Sequence, residues 1–144
     1  MAQDHRQEWL TDFGKRMGLT LEFDGSGVCQ LILDQELIVT IHKLDQSDRL
    51  VLFGQIHTPP LPLELAKEML KRNRSNAKVS APVISLSPEE DAIEVHLVLD
   101  QRELEQGDHW IETIIAELEY WREVTLNDFK EESTDKIDLN ISFV

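Results

Sequence analysis

Val28-Cys-Gln-Leu-Ile-Leu33, Leu37-Ile-Val-Thr-Ile-His-Lys-Leu44 and Leu50-Val-Leu-Phe-Gly-Gln-Ile-His57 are three apolar runs separated by Asp34-Gln-Glu36 and by Asp45-Gln-Ser-Asp48 with Arg49. Short polar connections between β-rich runs predict an antiparallel meander. Strict alternation places Cys29, Leu31, Leu33, Val39, Ile41, Leu50, Leu52 and Ile56 on one face, which is the candidate core. The opposite face then holds Val28, Ile32, Ile38, Leu44, Val51 and Phe53 beside Thr40 and His42. A solvated sheet face is mostly polar, and this one is not. Either helices cover both faces, or the second face is an exposed apolar patch of the kind that marks a protein partner.

The rest of the chain supplies helices for at least one face. Residues 3–18 carry Trp9, Leu10, Phe13 and Met17 at helical spacing, and Gly18 stands where a stop belongs. Leu19–Phe23 has strand character, and residues 24–27, Asp-Gly-Ser-Gly, supply turn chemistry. After the meander, Thr58-Pro-Pro-Leu-Pro62 breaks the sheet, and Leu63, Ala66, Met69 and Leu70 mark a short helix ending near Asn73. Val79–Leu86 and Ala92–Leu99 form a second hairpin, with Ile93, Val95, Leu97 and Leu99 on one face. A long helix follows over about residues 103–127, with Leu104, Ile111, Ile114, Ile115, Leu118 and Trp121 as its apolar stripe. Glu105, Glu112, Glu119 and Glu123 face water. The order α-β-β-β-α-β-β-α predicts an α+β fold, a twisted antiparallel sheet packed by helices, over residues 1–128. Residues 129–144 read as a charged tether and an apolar tail in which Ile137, Leu139, Ile141 and Phe143 alternate with polar residues. That tail is expected either to complete the domain as a strand or to lie on an exposed sheet edge.

Charge narrows the function. Asp and Glu number 28 against 14 Lys and Arg, a formal net charge of −14 in 144 residues. Such a field repels phosphate backbones and anionic membranes, so nucleic acid is not an expected partner. The N-terminus has no apolar signal core and no segment is long enough to span a bilayer, which reads as cytoplasmic. Cys29 is the only cysteine and sits in an apolar run, so it is expected in the core. His5, His42, His57, His96 and His109 are scattered, with no i,i+3 or i,i+4 pair and no HExxH. Gly25-Ser-Gly27 is not a nucleophile elbow, and no phosphate-binding glycine loop appears. The expectation is a protein that is not an enzyme and holds no metal or cofactor. Trp9 and Trp121 fall on apolar stripes, whereas Trp110 is offset toward an edge.

Four fragments carry a family resemblance. Leu21, Phe23, Asp24, Gly27, Cys29 and Leu31 follow the spacing L-x-F-D-x-x-G-x-C-x-L; Arg49-Leu-Val-Leu-Phe53, Leu70-Lys-Arg-Asn73 and Trp121-Arg122 come after it in order. Over about residues 5–127 the chain resembles the class I chaperones of bacterial type III secretion, the Tir-chaperone-like family. The resemblance implies a homodimer that binds the N-terminal segment of a secreted effector in extended form, without ATP, metal or chemistry. Its expected effector-binding residues are Val28, Ile32, Ile38, Val51 and Phe53 on the surplus apolar face. The dimer contact it implies maps to Leu63, Leu65, Met69, Leu70, Val83 and Ile84. Two other readings stay open: a regulator of the same fold that binds another secretion protein, and a small-molecule-binding α+β domain with a closed polar pocket.

Overall fold

The computed structural model describes the backbone of residues 4–33, 37–79, 81–87 and 92–142, and the side chains of these up to residue 127. The meander forms as its pattern predicts. Strands β1 (Val28–Leu33), β2 (Leu37–Lys43) and β3 (Leu50–His57) pair antiparallel in chain order. Leu31 stands opposite Val39, and Ile41 opposite Leu52. The short β4 (Val83–Leu86) and longer β5 (Ala92–Leu99) form the second hairpin, and β5 docks on β3. The sheet order is therefore β1-β2-β3-β5-β4.

Burial alternates along the strands. Leu37, Val39, Ile41, Leu50, Leu52, Ile56, Ile93, Val95 and Leu99 are buried, while their neighbours in sequence are mostly half-exposed or exposed. Three helices account for this single buried face. Helix α1 (His5–Met17) contributes Leu10 and Phe13 to the core. Its start is capped by the Asp4 carboxylate on the Arg6 N–H at 3.0 Å. Its end closes on Gly18, at φ 72°, with Leu19 N–H donating to Gly14 O at 2.7 Å. Helix α2 (Leu63–Lys78) contributes Leu65 and Met69. A 3-10 turn (Glu103–Gln106) leads into α3 (Gly107–Ser142), which lays Ile111, Ile114, Leu118 and Trp121 across the sheet. The approach of α3 to the sheet depends on Gly54. A Cβ there would stand 2.5 Å from Leu118 Cδ1 and 2.9 Å from Ile114 Cγ2.

Four sequence expectations change. Leu19–Phe23 is not a strand: Leu19 is spent on closing α1, and Leu21 and Phe23 pack on the core without joining the sheet. Helix α2 runs five residues past Asn73, because Asn73 and Asn76 turn toward β4 rather than ending the helix. For the same reason β4 starts at Val83 instead of Val79. The tail does not form the expected strand. The backbone of α3 is helical through Ser142, and Phe143 and Val144 lie outside the described residues.

Candidate functional site

The sheet face opposite the helices is the candidate site. The register sets its side chains in rows across four or five strands. Gln30, Thr40, Phe53, His96 and Val83 form one row, flanked by Ile32, Ile38, Gln55, Glu94 and Ser85 on one side. Val28, His42, Val51 and Val98 form the row on the other side. None of these residues is buried. Ile32 is 68 % exposed, Val83 53 % and Val98 47 %. Phe53 lies edge-on to the His96 ring at 6.0 Å, and Ser85 Oγ is 3.0 Å from His96 Nε2. The Gln30 amide donates to Thr40 Oγ1 at 3.4 Å. Thus Val28, Ile32, Ile38, Val51 and Phe53 share one face, as alternation requires, and the core cluster and the apolar residues packed on it include none of them.

The β1 edge adjoins this face. Lys43 N–H donates to Gly27 O at 2.8 Å, so Cys29 and Leu31, in phase with Gly27, bond to β2. Val28, Gln30 and Ile32 direct their backbone groups outward. Asp24 satisfies Val28 twice: its carboxylate accepts the Val28 N–H at 3.0 Å, and its own N–H donates to Val28 O at 2.9 Å. Among the described residues no partner is placed on the outward backbone groups of Gln30 and Ile32, which present an open stretch of strand edge.

The residues expected at a dimer contact fall into two sets. Leu65, Met69 and Ile84 are only 3 to 4 % exposed and fill the core of the single chain. Leu63 and Leu70 are 71 % and 70 % exposed, seven positions apart on one face of α2, with Val83 exposed on β4. Only the second set offers side chains to another molecule. The helix that carries them is clamped to α3. The Arg72 guanidinium makes two bonds to the Glu117 carboxylate, at 2.9 and 3.0 Å, and lies over the Tyr120 ring. The Trp121 indole N–H donates to the same carboxylate at 3.2 Å. Glu117, foremost through this hydrogen bonding, raises the Arg72 pKa above its usual value. Sequence reading missed this clamp; the signal available was Glu117, a carboxylate four positions before Trp121 on the edge of an apolar stripe.

The chemistry-bearing residues remain apart. Among the described residues no cluster of three His, Cys, Asp or Glu could hold a metal ion. The Cys29 thiol is buried, and burial, with the nearby Asp24 charge, pushes its pKa up, which keeps it neutral. Trp121 is core, as expected; Trp9 stacks on Phe13 at 5.5 Å. Trp110 is half-buried, in keeping with its offset from the stripe, and its indole nitrogen is enclosed. The groove of about 410 Å³ between α1 and the start of α3 is lined by charged residues and crossed by the Arg16–Asp108 ion pair. No helix among the described residues is long and apolar enough to cross a membrane.

One sheet face sealed by three helices, with the other face uncovered and half apolar beside an open strand edge, defines a one-sided α+β module whose free surface is broad rather than cavity-like. The chain belongs to the Tir chaperone protein (CesT) family, which matches it over residues 8–122. No curated protein matches it closely enough to count as a relative. Solved structures share the fold at low identity. The ExsC–ExsE complex aligns with a TM-score of 0.76 at 18 % identity, covering 87 % of this chain and 97 % of that one. The HopA1–SchA chaperone–effector complex gives 0.71 at 18 % identity, over 82 % and 93 %. The Yersinia pestis type III secretion chaperone SycH, in complex with a stable fragment of YscM2, gives 0.63 at 16 % identity, over 78 % and 95 %.

Proposed function

We propose that this chain is a homodimeric type III secretion chaperone that holds the N-terminal segment of an effector in extended form, soluble and fit for export. The observation that carries this reading is the bare apolar face bounded by the open Gln30–Ile32 edge. An extended segment can bond to the backbone of that edge with alternate side chains beside Val28 and Ile32, and a further length of the same segment can cross Ile38, Val51 and Phe53. Backbone bonding supplies affinity for many sequences, and the apolar side chains Val28, Ile32, Ile38, Val51 and Phe53 select for clients with apolar residues at every second position. The charge of −14 keeps the loaded complex dispersed while it carries a sticky segment. Leu63, Leu70 and Val83 are the residues placed to meet a second copy. Membership of a chaperone family and the fold shared with a chaperone–effector complex support the reading.

The test is co-purification of the tagged chain from the bacterium that produces it, with Ile32→Asp and Phe53→Asp run alongside. The reading expects one dominant secreted protein, its N-terminal region protected in the complex yet without the slow amide exchange of a folded domain. Both variants should lose it. Capture that survives both substitutions, or a captured protein bound through a folded domain, would count against the reading.

A further inference from the structure

An open sheet has two edges, and each carries unpaired backbone groups to which another chain can add. This sheet treats its edges differently. At β4, Ser87 N–H donates to Ala92 O at 3.0 Å, so Val83 and Ser85, in phase with Ser87, bond to β5. Pro82, Ile84 and Leu86 face outward. Ile84 is met there by Asn73: its side-chain Nδ2 donates to Ile84 O at 2.8 Å, and its Oδ1 accepts the Ile84 N–H at 2.7 Å. Two such bonds to one residue are what a neighbouring strand would make, and here a single amide makes both. One helical turn on, Asn76 Nδ2 donates to Pro82 O at 3.0 Å, and Pro82 has no N–H to satisfy. Leu65 and Met69 hold α2 against the core, but their side chains satisfy no backbone group. The asparagines are poor helix formers in mid-helix, and their placement is explained by the edge they face.

We propose that Asn73 is a strand surrogate that closes the β4 edge to extended polypeptide, a second copy of this chain included. Strand addition is thereby confined to the β1 edge. Ile84 is 3 % exposed, so losing the amide leaves two buried backbone groups without partners. Only water or another strand can then relieve them. The surrogate therefore guards the edge by occupying it, and this holds whether or not the client is an effector.

Asn73→Ala in the full chain tests the proposal by two readouts. The Ile84 amide should exchange with solvent about tenfold faster than in the wild type, with the Ile41 and Val95 amides unchanged. Light scattering should give a mass that rises with concentration, where the wild-type mass stays constant. Adding Leu86→Lys, a charge at an exposed position on the same edge strand, should restore the wild-type mass. A folded Asn73→Ala protein with wild-type mass at every concentration overturns the proposal, as does unchanged exchange at Ile84. Should Asn73→Ala lose its circular dichroism, Asn73→Leu keeps the side-chain volume without either bond to Ile84 and is read the same way. Unfolding of both overturns the proposal, because Asn73 would then hold the domain together rather than guard an edge.

Discussion

Leu52 and Phe53 are neighbours in β3 and point to opposite faces, so aspartate at each in turn asks which face is core. Leu52 is fully buried. Truncating such a leucine costs about 2–5 kcal/mol, and an unpaired carboxylate in the same space adds several more. That sum reaches the whole stability of an ordinary domain, about 5–15 kcal/mol. Leu52→Asp should leave no folded protein. Phe53 gives up its edge-on contact with His96, about 0.5–1.5 kcal/mol, and its new carboxylate stays hydrated. At about 2–4 °C per kcal/mol for a chain of this size, Phe53→Asp should lower Tm by only a few degrees. Thermal melts followed by circular dichroism separate the two, and the proposed client should be lost from the folded Phe53→Asp protein. A Phe53→Asp melt as damaged as that of Leu52→Asp would refute the bare-face argument.

The adjacent pair Met69 and Leu70 makes the same contrast on α2. Leu70→Glu should keep the fold and halve the mass seen by light scattering, whereas Met69→Glu should unfold the domain, since Met69 is 4 % exposed. Arg72→Ala strands the Glu117 carboxylate, 7 % exposed, and should cost about 2–4 kcal/mol in chemical denaturation; Arg72→Met with Glu117→Leu should recover most of that loss. The Asp4 carboxyl is held below the 3.8 of a free side chain, foremost by its hydrogen bond from the Arg6 side chain. Its contribution is therefore complete above that value and fades as pH falls through the lower folded value. Between about pH 5 and pH 2.5 the wild-type Tm should drop further than that of Asp4→Asn.

Much of the fold was legible because both faces of the meander obey a period of two. The register of Cys29 on Ile41 and Leu52 on Leu97 follows once one face is core. The surplus of apolar residues on the second face was legible too, but alternation is silent on whether helices cover it; that depends on where α2 packs in three dimensions. The implied dimer set shows the same limit. Leu65 and Met69 share a helical stripe with the core, while Leu63 and Leu70 lie off it, and a family-level mapping does not distinguish them. Asn73 reads as a helix end because asparagine favours caps and turns, and Asn76 lies beyond that expected end. Their bonding partners lie six to eleven residues away in another element, beyond any local pattern. The tail misled for a related reason: residues 137–142 alternate in sequence yet continue a helix already begun.

Trp9, Trp110 and Trp121 all sit in α1 and α3, on the covered side of the sheet, and the bare face has Phe53 as its aromatic residue. The consequence is optical. Indole emission reports how the helices lie on the sheet: Trp121 through its bond to Glu117, Trp9 through its stack on Phe13. A polypeptide settling on the opposite face leaves those surroundings as they were. Intrinsic fluorescence should follow unfolding brightly and stay nearly silent through loading, so the empty and the occupied protein would look alike in a cuvette.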